Sequence, residues 1–344
     1  MKKVKRSVKI VIAVALVIML LLSSGVIFYL SKLNLIKFSN GKFTWSGSPD
    51  MSDSETLEEE SRMDEAIADL EERDAIDATG EIYKDKRFLN ILLIGTDERA
   101  ESFSENARGD SCMIMSIGKK DGSLKLASLE RGMGVPILEG KYKGQYDWLT
   151  HTFRYGGADL MMREVRECFK VNVERYIRVN FTTFKKGIDS VGGIDITLTA
   201  AEAAYVNAVT GRKTHVAGDN HLDSDAALAY ARCRHIDSDW HRIERQRNVI
   251  QAVVTKTKDL SIVELDTLLN NVLPLVQTNL TRLEITELLL SAPKYRGVQI
   301  KQMTVPISGS YGGMRGLGGR SLFSVDFDTN AKALREFIYG VKSE

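Results

Sequence analysis

The stretch Phe88-Leu89-Asn90-Ile91-Leu92-Leu93-Ile94-Gly95 constrains the fold more than any other part of the chain. Asn90 apart, it is apolar at odd and even positions alike. A strand with one wet face alternates, so a run apolar on both parities predicts a strand covered on both sides. SCMIMSIG (111–118) and SLKLASL (123–129) follow, flanking Lys120-Asp121-Gly122, a hairpin signal. ADLMMREVRECFK (158–170) has helical spacing, YIRVNF (176–181) reads as a strand, TTFKKGIDSV (182–191) as a helix and GGIDITL (192–198) as a strand. Helices are expected around 224–233, 239–260, 261–272 and 281–292. SGSYGGMRGLGGRS (308–321) reads as a glycine-rich loop before a strand around 322–327 and a last helix at 330–340. Strands alternating with helices predict an α/β class, a central mixed β-sheet with helices on both faces.

The N-terminus adds a different element. Residues 10–30 are uncharged and apolar, long enough for one helix to cross a bilayer. A cleaved signal peptide would have a shorter apolar core and a small-residue site, and Ser23-Ser24-Gly25 is a poor one. Lys2, Lys3, Lys5, Arg6 and Lys9 precede the run. The positive-inside rule therefore makes 1–9 a cytoplasmic tail and 10–30 a transmembrane anchor, with the remainder outside the cell membrane. Residues 31–86, turn-rich and then acidic, read as a linker or solvated stalk, and 87–344 as the folded domain. The three cysteines are an odd number with no metal-site spacing. Cys112 and Cys168 read as core fillers, while Cys233, between two arginines, would have a lowered pKa if exposed.

The formal net charge is +1, which excludes a general polycation, so any anion site is local. Four groups could form one. Asp97, in Gly95-Thr96-Asp97-Glu98-Arg99, follows the first buried strand, where ligands gather in open α/β sheets; the alternative is a turn or helix-capping aspartate. Asp110, in Ala107-Arg108-Gly109-Asp110, precedes the next strand. Asp97 and Asp110 could converge on Mg2+ or Mn2+, with Arg99 and Arg108 as phosphate ligands, or all four could be surface ion pairs. Arg131, after the third strand, points to the same sheet edge. Finally, 226–251 carries Arg232, Arg234, Arg242, Arg245 and Arg247. Asp223 or Ser224 can cap a helix ending near Arg232, and Asp239 the next helix. Arg242, Arg245 and Gln246 then share a face, a bidentate diphosphate grip, and Arg247 points elsewhere as a solvated bystander.

In this order, NILLIGTDER (90–99), RGDSCMIMSI (108–117), SLER (128–131), HTFRYGG (151–157), FTTFKKGIDSVGGIDI (181–196), LDSDAALAYARCRH (222–235) and DWHRIERQRNVI (239–250) resemble the LytR–CpsA–Psr family of cell-envelope phosphotransferases. The likeness covers roughly 88–255. It implies transfer of a glycopolymer (teichoic acid, capsule or another wall polysaccharide) from a polyprenyl diphosphate carrier to peptidoglycan, with an apolar lipid-binding groove between sheet and helices. It also implies that Asp97 and Asp110 are metal and catalytic carboxylates, Asp97 being either base or metal ligand. Arg99, Arg108, Arg131, Arg232, Arg234, Arg242, Arg245 and Gln246 would line the diphosphate site, with Asp239 orienting them. This chain departs from the family's usual Pro-Arg-Asp after the third strand, having Glu130-Arg131-Gly132, and it has Trp148 and Thr150 before the Tyr-Gly-Gly segment where lysine and asparagine are common. The first departure motivates an alternative, a non-catalytic polyprenyl-diphosphate-binding protein. A nucleic-acid-binding regulator is disfavoured by the anchor, which puts the basic helix outside the cytoplasm, and no nucleic-acid partner is expected.

Overall fold

A computed structural model describes residues 31–39, 54–98, 103, 107, 109–234 and 236–341. Among them no helix is long and apolar enough to cross a membrane. The expected anchor at 10–30, and the candidate ligands Arg99 and Arg108, lie outside the described residues.

The elements in chain order are β1 (Lys37–Phe38), α1 (Ser54–Ile67), β2 (Phe88–Thr96), β3 (Gly109–Gly118), β4 (Leu124–Leu129), β5 (Gly134–Pro136), β6 (Tyr146–Trp148) and α2 (Leu149–Phe169). Next come β7 (Arg175–Val179), α3 (Phe181–Ser190), β8 (Ile194–Leu198), α4 (Ala200–Thr210), β9 (Gly218–Leu222), α5 (Ser224–Arg232) and α6 (Asp239–Lys256). The chain closes with α7 (Ile262–Val272), β10 (Gln277–Thr278), α8 (Arg282–Ser291), β11 (Lys301–Val305), β12 (Tyr311–Arg315), β13 (Ser321–Val325) and α9 (Phe327–Tyr339).

The main sheet is seven-stranded and mixed, in the order β1-β10-β7-β2-β3-β4-β11. β2, β3 and β4 run antiparallel to their neighbours in this trio, while β7 joins β2, and β11 joins β4, in parallel. The double apolar parity of β2 is used on both faces. Leu92 and Ile94 pack with Cys112, Ile114 and Leu129 under α2 and α9, through Phe153, Val165, Phe327 and Leu334. Ile91, with Met113, Ile117 and Leu126 from the neighbouring strands, packs on the other face with Ile250 of α6 and Ile285 and Leu288 of α8. Cys112, Cys168 and Cys233 are free and buried.

A second layer sits beside the sheet. β8 and β9, separated in the chain by α4, pair antiparallel as their own two-stranded sheet rather than extending the main one. It packs with α3, α4, α5 and α6 around Ile188, Leu198, Val206, Leu222, Tyr230 and Val249. Asp223 caps α5 through the Ala226 N–H. The alanines Ala226, Ala227, Ala229 and Ala231 are buried in this layer, their small side chains allowing close approach.

Two expectations are corrected here. Residues 31–86 are not only a solvated stalk: α1 buries Met63 and Ile67 against Trp148, Leu322 and Phe323, and Glu59 is 3% exposed. The glycine-rich segment is not wholly a loop, because β12 lies inside it and pairs with β13, the strand that follows. Gly312 lacks a side chain where the N-terminal segment crosses, and a Cβ there would meet the Glu71 carbonyl oxygen at 2.7 Å. Arg320 clamps the two parts, donating to Glu60 of α1 (2.6 Å) and to buried Asp147 (2.9 Å).

Candidate functional site

Two cavities meet at one arginine. The first holds about 250 Å3 and lies between the sheet and α3, α5 and α6. Its walls are mostly apolar, with Leu93, Met113 and Ile177 from the sheet facing Phe184, Leu228 and Ile250. Polar groups gather at one end: Asp110, Arg232, Arg234, Arg242 and Gln246. Three arginines against one aspartate leave that end positive.

Arg242 is 2% exposed. One Nη donates to Asp239 at 3.3 Å, while Nε and the other Nη have no partner among the described residues. Burial works against its charge, opposed chiefly by Asp239. A buried guanidinium with two idle donors favours an anion in the cavity it lines. Arg234 lies between the cavities and donates to Glu59 at 2.9 Å. Arg232 is exposed and lies over the Phe181 ring, 4.6 Å from its centroid.

Asp110 reaches this end through a backbone irregularity. Gly95 pairs with Ser111 but Thr96 pairs with Gly109, so Asp110 is one extra residue in β3. Such a bulge re-aims the side chain it carries. Asp97 follows Thr96 at the end of β2 and is half-buried, but it is not part of the cavity lining. Its charge instead supports that of Arg178, a buried residue that donates to Glu98 at 2.6 Å. Among the described residues no three His, Cys, Asp or Glu side chains converge. Asp110, on the lining, and Asp97, outside it, would each offer only oxygen ligands. That fits Mg2+ or Mn2+, whose remaining positions can be taken by water and phosphate oxygens.

The second cavity, about 540 Å3, lies across Arg234 from the first, and Arg131, Glu130, Asp239, Trp240, Tyr311 and Phe323 are among its lining residues. Arg131 donates to Glu59 (2.5 Å) and to Asp239 (3.0 Å), and burial fails to lower its pKa because those carboxylates hold it charged. Asp239 thus bridges Arg131 and Arg242. Burial would raise its pKa, yet Arg242, Arg131 and Arg234 bring it to about 2. Glu59 is held below its usual value by Arg131 and Arg234 against the same burial effect. Glu130 is fully buried, and desolvation with the nearby Asp239 charge pushes it up to about 7.

The sequence-predicted residues divide. Asp110, Arg232, Arg234, Arg242 and Gln246 come together at the first cavity, and Arg131 and Asp239 form its neighbour's wall. Arg245 does not join them. It is 3% exposed and donates to Glu202 (2.7 Å), the Cys233 carbonyl (2.9 Å) and Asp237, which turns it into the second layer. Asp239 does not cap α6; Ser238 holds the cap position, and the Asp239 carboxylate faces the arginines. Arg247 stays outside both cavities but is buried rather than solvated, donating to Gln302 (2.9 Å) and Thr304 (2.8 Å) of β11. Glu59 was missed, since an acidic helix reads as solvated. Cys233 is buried, which removes the condition for a reactive thiol. At Gly132, where the related motif carries aspartate, a Cβ would run into the Met63 methyl, and the Glu130 carboxylate accepts from the Gly132 N–H.

Residues 52–336 match the LytR_cpsA_psr family. The chain is 34% identical over 198 residues to the polyisoprenyl-teichoic acid–peptidoglycan teichoic acid transferase TagU of Bacillus mycoides, a likeness spanning 56% of this chain and 61% of that relative. It is similar in structure to a TagT bound to LIIa-WTA, with a TM-score of 0.59 and 25% identity over 78% of this chain and 97% of that one. A protein of Streptococcus agalactiae, gbs0355, gives a TM-score of 0.60 at 25% identity, covering 75% and 90% of the two chains.

Proposed function

The chain belongs to the LytR_cpsA_psr family, and from that premise we propose that it transfers a glycopolymer from a polyprenyl diphosphate carrier to peptidoglycan, forming a phosphodiester. The observation that carries this reading is Arg242, buried with two idle donors at the polar end of an apolar cavity. An amphiphile with an apolar tail and an anionic head matches both halves of that cavity. The relatives named as teichoic acid transferases support a wall polymer as cargo.

In this reading the prenyl chain lies against Leu93, Ile177, Phe184 and Leu228. Arg232, Arg234 and Arg242 hold the diphosphate, with Gln246 as a neutral donor. Asp239 fixes the orientation of Arg242 and Arg131. An acceptor sugar hydroxyl would attack the glycan-bearing phosphorus, giving up its proton to a carboxylate as the P–O–P bond breaks and polyprenyl phosphate leaves; guanidinium groups already in position stabilise the charge that builds on the phosphoryl and leaving oxygens. Asp97 and Asp110 would hold Mg2+ or Mn2+, which would neutralise phosphoryl oxygens. Residues 1–9, 10–30 and the stretch after them would be a cytoplasmic tail, a single membrane anchor and a tether, with 54–341 as the extracytoplasmic unit.

The test is transfer by the purified full-length protein from a polyprenyl-diphosphate glycan to peptidoglycan, with and without Mg2+. Joined product that disappears with chelation and with Arg242→Ala is expected. Unchanged transfer by Arg242→Ala would overturn the assignment.

A further inference from the structure

The second cavity differs in chemistry from the first. Its lining carries five carboxyl residues against three arginines, Arg62, Arg131 and Arg234. A polyanion gains nothing in such a lining. Its volume of about 540 Å3 lies within the roughly 300–1,000 Å3 of small-molecule sites.

Three aromatic side chains form one wall. Trp240 and Tyr311 are half-buried with ring centroids 5.5 Å apart, and Phe323 lies 6.0 Å from Trp240 and 5.6 Å from Tyr311. Aromatic faces are electron-rich and attract the weakly positive C–H faces of a pyranose ring. Glu130 supplies an independent sign of a ligand. It is fully buried and lines the cavity, and its Oε1 has no partner among the described residues. An idle buried carboxyl oxygen favours a polar ligand such as a sugar hydroxyl, which can donate to the carboxylate or accept from the protonated acid. Asp237, Ser238 and Asp239 add further acceptors on the same lining.

We propose that this second cavity binds an uncharged N-acetylhexosamine unit of the acceptor glycan, stacked on Trp240 and Tyr311 and hydrogen-bonded by Glu130. This rests on the transferase reading and deepens it. Arg234 lines both cavities, so a hydroxyl in the second would stand beside a phosphate in the first. The carboxyl-rich lining selects the acceptor rather than a phosphate-bearing donor polymer.

Isothermal titration of the full-length protein with chitotetraose tests the site without requiring transfer. Chitotetraose is expected to bind, and Trp240→Ala or Tyr311→Ala should weaken it about tenfold or more. Trp240→Phe, which keeps an aromatic face, should retain most of the affinity. Farnesyl diphosphate, a probe of the first cavity, should bind Trp240→Ala and wild type alike, which also reports that the variant is folded. Absence of chitotetraose binding, or binding indifferent to both alanine variants, overturns the proposal. So does a Trp240-dependent response to a glycerol phosphate oligomer in place of chitotetraose. Loss of the farnesyl diphosphate response in the wild type, with Trp240-dependent chitotetraose binding intact, would sink the lipid-diphosphate reading alone.

Discussion

Glu59 of α1 places a carboxylate oxygen 2.5 Å from Nη1 of Arg131, with both side chains almost wholly buried. The same oxygen accepts from Arg234 at 2.9 Å. An acidic helix near the N-terminus is thereby fastened to two arginines beside the candidate site. Removing one partner of a buried pair leaves the other desolvated and uncompensated, which costs about 3 kcal/mol or more. Glu59→Gln is expected to lower unfolding stability by about that amount. The loss should be largest above pH 4.5, because the lowered Glu59 pKa contributes stability there and ceases to as pH falls through its folded value. Urea unfolding at pH 4 and pH 7 measures both.

Arg242 and Arg245 are three residues apart on α6 and should fail differently. Arg242 keeps two donors idle, and hydrogen bonds to charged groups contribute about 1.5–3 kcal/mol each. Arg242→Ala is therefore expected to weaken farnesyl diphosphate binding about 100-fold. Arg245 is committed to Glu202, Cys233 and Asp237. Arg245→Ala should cost about 2–3 kcal/mol of stability and change farnesyl diphosphate affinity by less than about threefold. Titration calorimetry beside thermal unfolding separates the two effects, and reversed roles would refute the division.

What the sequence reveals depends on whether local spacing or distant partners decide a side chain's direction. The strand 88–96 and the turn at Lys120-Asp121-Gly122 are local and were legible. Arg242 and Gln246 are four apart on a helix and share the cavity as that spacing predicts. Arg245 has the same credentials by spacing, but Glu202, 43 residues earlier, draws it away. Glu59 reaches an arginine 72 residues on and another 175 residues on, a pairing no periodicity encodes. β12 hides in a glycine-rich string because its glycines serve close approach of the N-terminal segment rather than a turn. Asp110 was legible as a residue type, while the bulge that aims it is a matter of register between two strands.

The two candidate carboxylates should not be equivalent. Asp110 is the bulge residue and lines the first cavity, while Asp97 lies outside that lining near Arg178. Asp110→Asn is expected to lower transfer about 100-fold or more, as loss of a preorganised charge at the reacting phosphate does. Asp97→Asn should have the smaller effect on transfer. If both hold the metal, each variant should also raise the Mg2+ concentration giving half-maximal transfer. A Mg2+ titration of the three proteins reads all of this. Equal activity of Asp110→Asn and wild type would remove Asp110 from the site.

Glu130 should make the fold itself sensitive to pH. Burial and the Asp239 charge raise its folded pKa to about 7 from an ordinary 4.5. Between those values the folded state keeps the proton that the unfolded state loses, so stability must fall as pH rises. The contribution is fully present below pH 4.5 and is lost as pH rises through about 7. A shift of this size corresponds to about 3–4 kcal/mol. Glu130→Gln removes the titration while its amide oxygen can still accept from the Gly132 N–H. Relative to wild type, Glu130→Gln is therefore expected to gain about 3 kcal/mol between pH 4.5 and pH 8. Urea unfolding of both proteins across that range checks it, and parallel stability curves would show that Glu130 is ionised throughout.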